Sequence, residues 1–286
     1  MTRTVYVNGD YLPETEAKVS IFDRGFLMAD AVYEVTSVLG GKLLDFQGHV
    51  ARLQRSLSEL QMVSPVTMDE LLEIHHQLIE KNDLDEGGIY LQITRGAGAD
   101  RDFLWPDPEE VQGGIVLFTF AKKITANKSI DEGIKVISIE DLRWGRRDIK
   151  TTQLLYPSFA KMQAKKAGAT DAWFVEDGYV TEGYANNVYI VKDGVIITRQ
   201  LSNDILHGIT RAAILKFAAE AQMKVEERPF TIEEAQAADE AFATSATGFS
   251  QPVVEIDGVT VGTGKPGPVS KRLREIYIEE MPKTAL

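Results

Sequence analysis

The amino-acid sequence predicts an α+β protein in which strands and helices follow one another in no fixed order. Four glycine-containing dipeptides typical of tight hairpin turns interrupt stretches rich in β-branched and aromatic residues, at positions 8–9, 40–41, 177–178 and 193–194. Between them lie segments whose apolar residues recur at the spacing of amphipathic helices. Because strands and helices do not alternate strictly, the pattern disfavours a doubly wound parallel sheet.

The first part of the chain is predicted to hold two hairpins, two helices and two further strands. In that order, these elements cover residues 5–12, 31–46, 48–60, 68–82, 87–98 and 113–123. Strand alternation places Tyr33, Val35 and Ser37 on one face of the second hairpin. In the first helix, Arg52 lies off the main apolar stripe.

A polar stretch at residues 124–133 separates these elements from the rest and is the best candidate for a domain boundary. We therefore expect one domain of residues 1–123 and a larger one of residues 124–286. The larger domain is predicted to contain a strand at 134–140, a helix at 156–169, hairpins at 171–183 and 187–200, a helix at 208–222 and a strand at 241–248.

The composition excludes several classes of function. A formal net charge of -12 and a pI near 4.9 argue against a nucleic-acid or anionic-membrane binder, because both need broad positive fields. Cysteine is absent, which rules out disulfides and a cysteine nucleophile, and the four histidines lack metal-ligand spacing, so no metal site is predicted. The N-terminus lacks the apolar core of a signal peptide, and no apolar run approaches the roughly 20 residues of a membrane helix, so we expect a cytoplasmic protein.

The stretch RWGRRDIKTTQLLYP, residues 143–157, gathers four cations in this acidic chain. Its Lys150 follows an apolar residue and lies near Arg146 and Arg147. Like charges and partial burial both favour the neutral form of the Lys150 amine. A neutral amine can attack an aldehyde and hold a cofactor as a Schiff base. Taken alone, however, a lysine beside arginines is more often part of a solvated surface.

Other segments supply what an aldehyde cofactor with a phosphate, such as pyridoxal phosphate, requires. The helix entered at Gly208 offers free first-turn amides for a phosphate, and the ATSAT segment, residues 243–247, offers hydroxyl groups. Arg52 could pair with the same phosphate. Glu182 follows a strand and precedes Gly183, where a carboxylate can meet a ring nitrogen and make the ring an electron sink.

The order and spacing of six motifs identify a family. The motifs are FDRGFLMADAVYEV, HVARL, DIKTTQLL, TEGYANNVYIVKDG, LHGITR and ATSAT. Together they make residues 3–280 resemble the class IV aminotransferases, which are the fold-type IV pyridoxal-phosphate enzymes. The resemblance implies a smaller N-terminal α/β sandwich domain and a larger C-terminal pseudo-barrel domain. It also implies a homodimer whose active sites are built from both chains.

The resemblance assigns roles to individual residues. It implies that Lys150 carries pyridoxal 5'-phosphate and is the catalytic base, that Glu182 meets the pyridine nitrogen and that Leu206 packs against the ring. The residues implied to hold the phosphate are Arg52, Ile209, Thr210, Ser245, Ala246 and Thr247. Ala246 departs from the family pattern, which often has a threonine at this position.

Within the family, the segment ADAVYEVTSV looks most like the D-amino-acid transaminases. These enzymes transfer the amino group of a D-amino acid to a 2-oxo acid in a ping-pong reaction. The resemblance implies that Tyr33 and Val35 line the substrate pocket and that Arg101 reaches the carboxylate from the partner subunit. Phe103 stands where the family has a histidine, and Ser37 where well-known members have a lysine.

Several alternatives to a D-amino-acid transaminase remain open at this point. Phe103, Leu104 and Trp105 make the neighbourhood of Arg101 apolar, which suits an R-selective amine:pyruvate transaminase. A branched-chain L-amino-acid transaminase or an enzyme similar to aminodeoxychorismate lyase fits the motifs less well. A carrier that binds pyridoxal phosphate without turnover is disfavoured, because the lysine and the carboxylate are both present.

Overall fold

A computed structural model describes residues 2–98 and 100–286, and its chain divides into two compact units. The first consists of Met1–Lys123, Ile149–Gln153 and Thr284–Leu286, and the second of Ile124–Asp148 and Leu154–Lys283. The predicted domains, 1–123 and 124–286, differ from this grouping in two segments, one of which carries Lys150. Both units contain strands and helices, so the predicted α+β class is confirmed.

The first unit is built on a six-stranded sheet in which every pairing is antiparallel. Its elements are β1 (Thr4–Val7), β2 (Asp10–Pro13), α1 (Arg24–Met28), β3 (Ala31–Leu39), β4 (Lys42–Leu43), α2 (Phe46–Glu59), α3 (Met68–Lys81), β5 (Glu86–Thr94) and β6 (Gly114–Ala121). The strand order across the sheet is β2-β1-β6-β5-β3-β4. The predicted hairpin at residues 8–9 is therefore the β1–β2 pair.

The core of the first unit forms where α2 and α3 cover the sheet. Leu53 and Leu57 of α2 are buried, as their helical spacing predicts, and α2 packs against β3. Along β3, Val32 and Glu34 are buried whereas Tyr33 and Val35 are only partly covered, which is the alternation predicted for this strand. Ser37, predicted to lie on the same face as Tyr33, is buried instead. The half-exposed face of β3 therefore remains accessible from outside the core.

The short segment Ile149–Gln153 belongs to the first unit because its backbone pairs with β3. The Tyr33 amide donates to the Lys150 carbonyl at 3.0 Å, and the Thr152 amide donates to the Ala31 carbonyl at 3.1 Å. Ile149 is buried in the same hydrophobic core as the helices. The backbone position of Lys150 is thus set by a strand that lies more than a hundred residues earlier in the chain.

The second unit is built on a nine-stranded mixed sheet. Its elements are α4 (Lys128–Glu132), β7 (Ile134–Glu140), α5 (Leu155–Lys166), β8 (Asp171–Glu176), β9 (Tyr179–Gly183), β10 (Asn187–Lys192), β11 (Val195–Thr198), α6 (Ile209–Glu220), β12 (Lys224–Glu227), α7 (Ile232–Gln236), β13 (Glu240–Ser245), β14 (Phe249–Ile256), β15 (Val259–Thr260) and α8 (Pro268–Glu280). The strand order is β12-β11-β10-β13-β14-β7-β8-β9, with β15 paired to β14. The β7–β8, β7–β14 and β11–β12 pairs are parallel.

Helices cover the sheet of the second unit and hold the ends of its strands. Helix α6 packs against β13, and α8 packs against β13 and β14. The buried Arg274 of α8 donates to the carbonyls of Gly248, at 2.6 Å, and of Ile124. Several elements have no counterpart among the predicted ones, namely helices α1, α4, α7 and α8 and strands β12, β14 and β15. Within the residues that the structure describes, no helix combines the length and the apolar character needed to cross a membrane.

Acid should weaken the first unit through His75. This residue is buried in α3, its Nδ1 lies 2.7 Å from the Leu71 carbonyl oxygen, and burial lowers its pKa to about 4. Because an unfolded histidine has a pKa of about 6.5, the neutral side chain contributes fully to stability above pH 6.5, and this contribution is lost as the pH falls toward 4. At about 1.4 kcal/mol per pKa unit, the loss amounts to about 3 kcal/mol.

The measurement compares urea unfolding of the wild type and of His75→Gln at several pH values. Glutamine does not titrate, so the stability advantage of the wild type should shrink as the pH falls from 7 to 4. An advantage that stays constant over this range would contradict the expectation.

Candidate functional site

Lys150 extends its amine over an aromatic ring of the same unit. Its Nζ lies 4.2 Å from the centroid of the Tyr33 ring, which is a cation–π geometry. The Tyr33 ring stacks on Tyr90 at 5.5 Å, and Tyr90 stacks on Phe118 at 4.9 Å. The backbone amide of Lys150 also donates to Ser56 Oγ at 3.3 Å. The backbone of Lys150 is thus held by β3, and its amine lies over the first of three stacked aromatic rings.

Arg52, predicted to hold a phosphate, lies in a buried ion pair with Glu34 of β3. Its Nε donates to Oε1 at 2.8 Å and its Nη2 to Oε2 at 2.7 Å, and His49 Nδ1 lies 2.7 Å from Oε2. Burial alone would raise the pKa of Glu34, but Arg52 and His49 outweigh it and hold the pKa well below its usual range. The pair fixes the guanidinium of Arg52 in one orientation on the sheet.

In the second unit, Glu182 at the end of β9 is 4% exposed, and donors from three segments bind its carboxylate. Arg143 Nη1 donates to Oε1 at 2.7 Å. The Leu206 amide donates to Oε2 at 3.0 Å, and Asn187 Nδ2 donates to the same oxygen at 3.2 Å. Burial raises the pKa of Glu182, and Arg143 opposes this effect. The carboxylate is therefore fixed in place and compensated by one cation.

The arginines of the cationic stretch all have carboxylate partners in their own unit. Arg143 binds Asp141 with two nitrogens, Nε at 2.9 Å and Nη2 at 2.7 Å. Arg147 binds Glu176 at 2.7 and 2.8 Å. Arg146 binds the fully buried Asp148 at 3.0 Å. The positive charge that the sequence shows in this stretch is thus largely neutralised within the second unit.

The predicted phosphate segments of this unit lie at the start of α6 and in the turn after β13. Ile209 and Thr210 are the first residues of α6, whose N-cap Gly208 has no side chain that could accept from the first-turn amides. A Cβ atom at Gly208 would lie 2.0 Å from Asn187 Oδ1, so a larger residue there would displace the Asn187 side chain. Ser245 ends β13, and Ala246 and Thr247 form the turn to β14.

In the first unit, Arg101 and Phe103 lie on an exposed loop that precedes β6. The Arg101 guanidinium lies 4.8 Å from the centroid of the Phe103 ring, and Phe103 is 74% exposed. Arg24 holds this loop by donating to the carbonyls of Asp102 and Leu104, at 2.5 and 3.2 Å. Arg101 also lines a cavity of about 150 Å³, whose walls include several apolar side chains.

The predicted site residues fall into separate groups within the two units. In the first unit, Lys150 and Tyr33 touch, Val35 lies on the same half-exposed face of β3, and Arg101 and Phe103 touch on their loop. In the second unit, Glu182 and Leu206 are joined by a hydrogen bond.

Sequence reasoning missed two groups of contributors to this arrangement. Asn187 connects Glu182 with the Leu206 carbonyl, which accepts from its Nδ2 at 3.0 Å. Asp141 and Arg143 orient Glu182 from the other side. The NN dipeptide that follows Glu182 in the motif TEGYANN was the available signal for Asn187.

Comparison with known proteins shows which family the chain belongs to. The model of the Amino-transferase class IV family matches residues 31–256. The D-alanine aminotransferase of Staphylococcus haemolyticus is 39% identical over 272 residues, which are 95% of each chain. That of Listeria monocytogenes serotype 1/2a is 37% identical over 278 residues, or 97% of this chain and 96% of the relative.

A solved structure agrees with the family model. A branched-chain amino acid aminotransferase from T.th., solved with pyridoxamine 5'-phosphate, superposes with a TM-score of 0.89 at 27% identity, over 98% of this chain and 94% of that one. The predicted fold class is thereby confirmed, and so is the resemblance that the sequence motifs indicated. This chain belongs to the class IV aminotransferase family.

Proposed function

We propose that this protein is a pyridoxal 5'-phosphate-dependent D-amino-acid transaminase, which passes the amino group of a D-amino acid to a 2-oxo acid. The observation that carries the proposal is near-full-length similarity to D-alanine aminotransferases in a chain that keeps Lys150 and Glu182. The branched-chain amino acid aminotransferases from T.th. and Escherichia coli share the fold at 27% and 24% identity, whereas D-alanine aminotransferases of two Staphylococcus species are 36–39% identical. The higher identity favours D-amino acids over branched-chain L-amino acids.

The side chains of the second unit suit the chemistry of the cofactor. When bound, pyridoxal phosphate supplies an aldehyde for the amine and a ring that accepts electrons from the substrate. Glu182 offers a buried carboxylate, which is the group that a protonated ring nitrogen needs. Leu206, whose backbone is tied to Glu182, is proposed to pack against the ring.

Two roles are proposed for Lys150. Its Nζ would hold the cofactor covalently through the aldehyde, and as a free amine it would be the general base that takes the proton from the substrate Cα. The ring of Tyr33 under the amine supports both roles, because it restricts where Nζ can lie. The backbone pairing with β3 restricts the position further.

The phosphate is proposed to meet two kinds of donor. Arg52 supplies a cation whose orientation Glu34 fixes, and the start of α6 supplies backbone amides at Ile209 and Thr210. Ser245, Ala246 and Thr247 are proposed to complete the contacts. Residues 124–286, apart from the two segments that group with the first unit, are thereby proposed as the main cofactor-binding domain.

The substrate is proposed to lie against Tyr33 and Val35, with its carboxylate bound by Arg101 of the partner subunit. A second candidate function, R-selective amine transamination, is favoured by one observation. The Arg101 guanidinium rests on Phe103, and Leu104 and Trp105 beside it are exposed. Such a surface can accept an apolar group in place of a carboxylate.

A homodimer is proposed because both units expose apolar side chains that a partner chain would cover. Helix α5 exposes Leu155, Phe159 and Met162 at spacings that place them on one face. In the first unit, the exposed group is Ile21, Phe22, Phe26, Phe103, Leu104 and Trp105. Patches of this kind typically mark interfaces. A cytoplasmic location is proposed from the sequence.

We expect Lys150→Ala to abolish transamination, because it removes both the covalent attachment and the proton carrier. The overall rate should fall by several orders of magnitude, and the visible absorbance of the bound cofactor should change. Lys165→Ala, which removes an exposed lysine of α5, is the matched control. A Lys150→Ala enzyme that keeps more than about a tenth of the rate, a barrier change below about 1.4 kcal/mol, would sink the assignment.

Arg101→Ala should separate amino acids from amines. One charge-assisted hydrogen bond to a carboxylate contributes about 1.5–3 kcal/mol, so kcat/KM for D-alanine should fall roughly tenfold to over a hundredfold. R-1-phenylethylamine has no carboxylate, so its kcat/KM should change little or improve. Equal losses on both substrates would mean that Arg101 supports the structure of its loop. No loss on either substrate would mean that another residue binds the substrate carboxylate, with Tyr33 the next candidate.

The dimer is tested by mass in solution. Light scattering should give about twice the 31.7 kDa of one chain for the wild type. Placing charges on the α5 stripe, with Leu155→Asp and Phe159→Asp together, should yield monomers, because an unpaired charge in an apolar interface is costly. Val259→Asp, at an exposed position of β15, is the control and should remain dimeric. A wild-type monomer would overturn the proposal.

A further inference from the structure

Arg143 binds the carboxylate that is proposed to meet the cofactor's ring nitrogen. Its Nη1 lies 2.7 Å from Glu182 Oε1, in a pair of which the Arg143 side chain is 12% exposed and the Glu182 side chain 5%. We infer that Arg143 is a positioning residue for the reaction: it orients Glu182 and keeps it charged for the ring nitrogen. This inference rests on the proposed function, since it presupposes that Glu182 is the ring partner.

The hydrogen bonds of Glu182 show which of its oxygens is available to the ring. Oε2 accepts from the Leu206 amide and from Asn187 Nδ2. Oε1 accepts from Arg143. A carboxylate can accept about four hydrogen bonds, two at each oxygen. Donors among the described residues occupy both positions on Oε2 and one on Oε1, so the remaining acceptor position is on Oε1. The ring nitrogen and Arg143 would therefore share one oxygen, and the charge of Arg143 acts directly on the atom that the ring nitrogen would contact.

Arg143 is itself fixed, so it can hold Glu182 in one orientation. Its Nε and Nη2 bind both oxygens of Asp141, and Thr181 Oγ1 donates to Asp141 Oδ2 at 2.7 Å. The guanidinium carbon lies 4.3 Å from the centroid of the Phe174 ring. A planar guanidinium can bind two carboxylates at once in this way, which the ammonium of a lysine cannot reproduce.

The charges around Glu182 explain why a cation is needed there. Burial raises the pKa of Glu182, and the nearby Asp141 carboxylate raises it further, whereas Arg143 lowers it. Without Arg143, only the hydrogen bond from the Leu206 amide still lowers the pKa of Glu182, so burial and Asp141 favour a protonated carboxyl. A protonated Glu182 provides no counter-charge for a protonated ring nitrogen, so the proton would reside on the carboxyl and the ring would accept electrons less readily.

The test uses the holoenzyme and measures the half-reaction with D-alanine by stopped-flow absorbance. An opposite charge at this distance lowers a carboxyl pKa by about 1–3 units. If the transition state loses all of this free energy, Arg143→Met should slow the half-reaction by about tenfold to a thousandfold. The pH dependence of the cofactor's visible absorbance should also shift, which a purely structural role would not cause. Arg143→Lys, which keeps the charge, should recover part of the rate.

Arg147→Met is the matched control. Arg147 binds Glu176 and lies 3.4 Å from Asp141, so it belongs to the same network. Among the described residues, its partners are Glu176, Asp141 and the Arg143 carbonyl, and Glu182 is not one of them. Its loss should slow the half-reaction much less than Arg143→Met does. If the two variants slowed it equally, the network as a whole would matter and the specific role of Arg143 would be wrong.

A double-mutant cycle with Glu182→Gln separates this inference from the proposed function. If Arg143 acts through Glu182, Arg143→Met should have little further effect in the Glu182→Gln background. Equal effects in both backgrounds would overturn the inference and leave the proposed function intact. A Glu182→Gln enzyme with an unchanged half-reaction would instead refute Glu182 as the ring partner.

A second variant keeps the test decisive if Arg143→Met does not fold, as judged by circular dichroism. Arg143→Gln retains an N–H donor for Asp141 but removes the charge. It should reproduce the slower half-reaction and the altered pH dependence. A folded Arg143→Gln enzyme with the wild-type rate and pH dependence would refute the inference.

Discussion

Burying an ionised carboxylate costs several kcal/mol unless protein donors replace the water that it loses. Glu182 meets this constraint with donors from three stretches: the loop after β7, strand β10 and the loop before α6. The positions of Arg143, Asn187 and Leu206 are therefore coupled to one another through a single side chain. The close approach of Gly208 to Asn187 is part of the same arrangement, so the start of α6 is placed by it as well.

The first unit also buries a carboxylate, and there the groups that bind it come from one helix. Glu34 of β3 is bound by Arg52 and His49, both on α2, so the buried charge joins a helix to the sheet on which it packs. The opposite face of β3 carries Tyr33, whose ring meets the Lys150 amine. One strand thus fixes a cation through its buried face and an amine through its half-exposed face, which follows from the two-residue period of a strand.

Local signals predicted the four hairpins and helices α2, α3, α5 and α6, but they could not predict which residues distant in the sequence would be in contact. The Asp-Gly turns at 177–178 and 193–194 were predictable because positive φ angles, 51° at Asp177 and 50° at Asp193, suit these residues. Helix α8 was missed because it buries Arg274, a charge that interrupts the apolar pattern. Lys150 and Glu182 came from the motifs of a family. No spacing rule could connect Arg143 with a carboxylate 39 residues away, so its contact with Glu182 was not predicted.

The division of the chain has a consequence for synthesis on the ribosome. Segment Ile149–Gln153 completes the edge of β3, and the Leu43 and Leu286 backbones exchange hydrogen bonds at 2.7 and 3.2 Å. The amino-terminal unit therefore cannot acquire all its native contacts when residue 123 emerges. Its pairing with segment Ile149–Gln153 can form only after residue 153 has emerged from the ribosome. Its contacts with Leu286 form only after the whole second unit has been translated. Although domains usually fold in the order of their synthesis, here the nascent first unit stays unfinished while the second is being made.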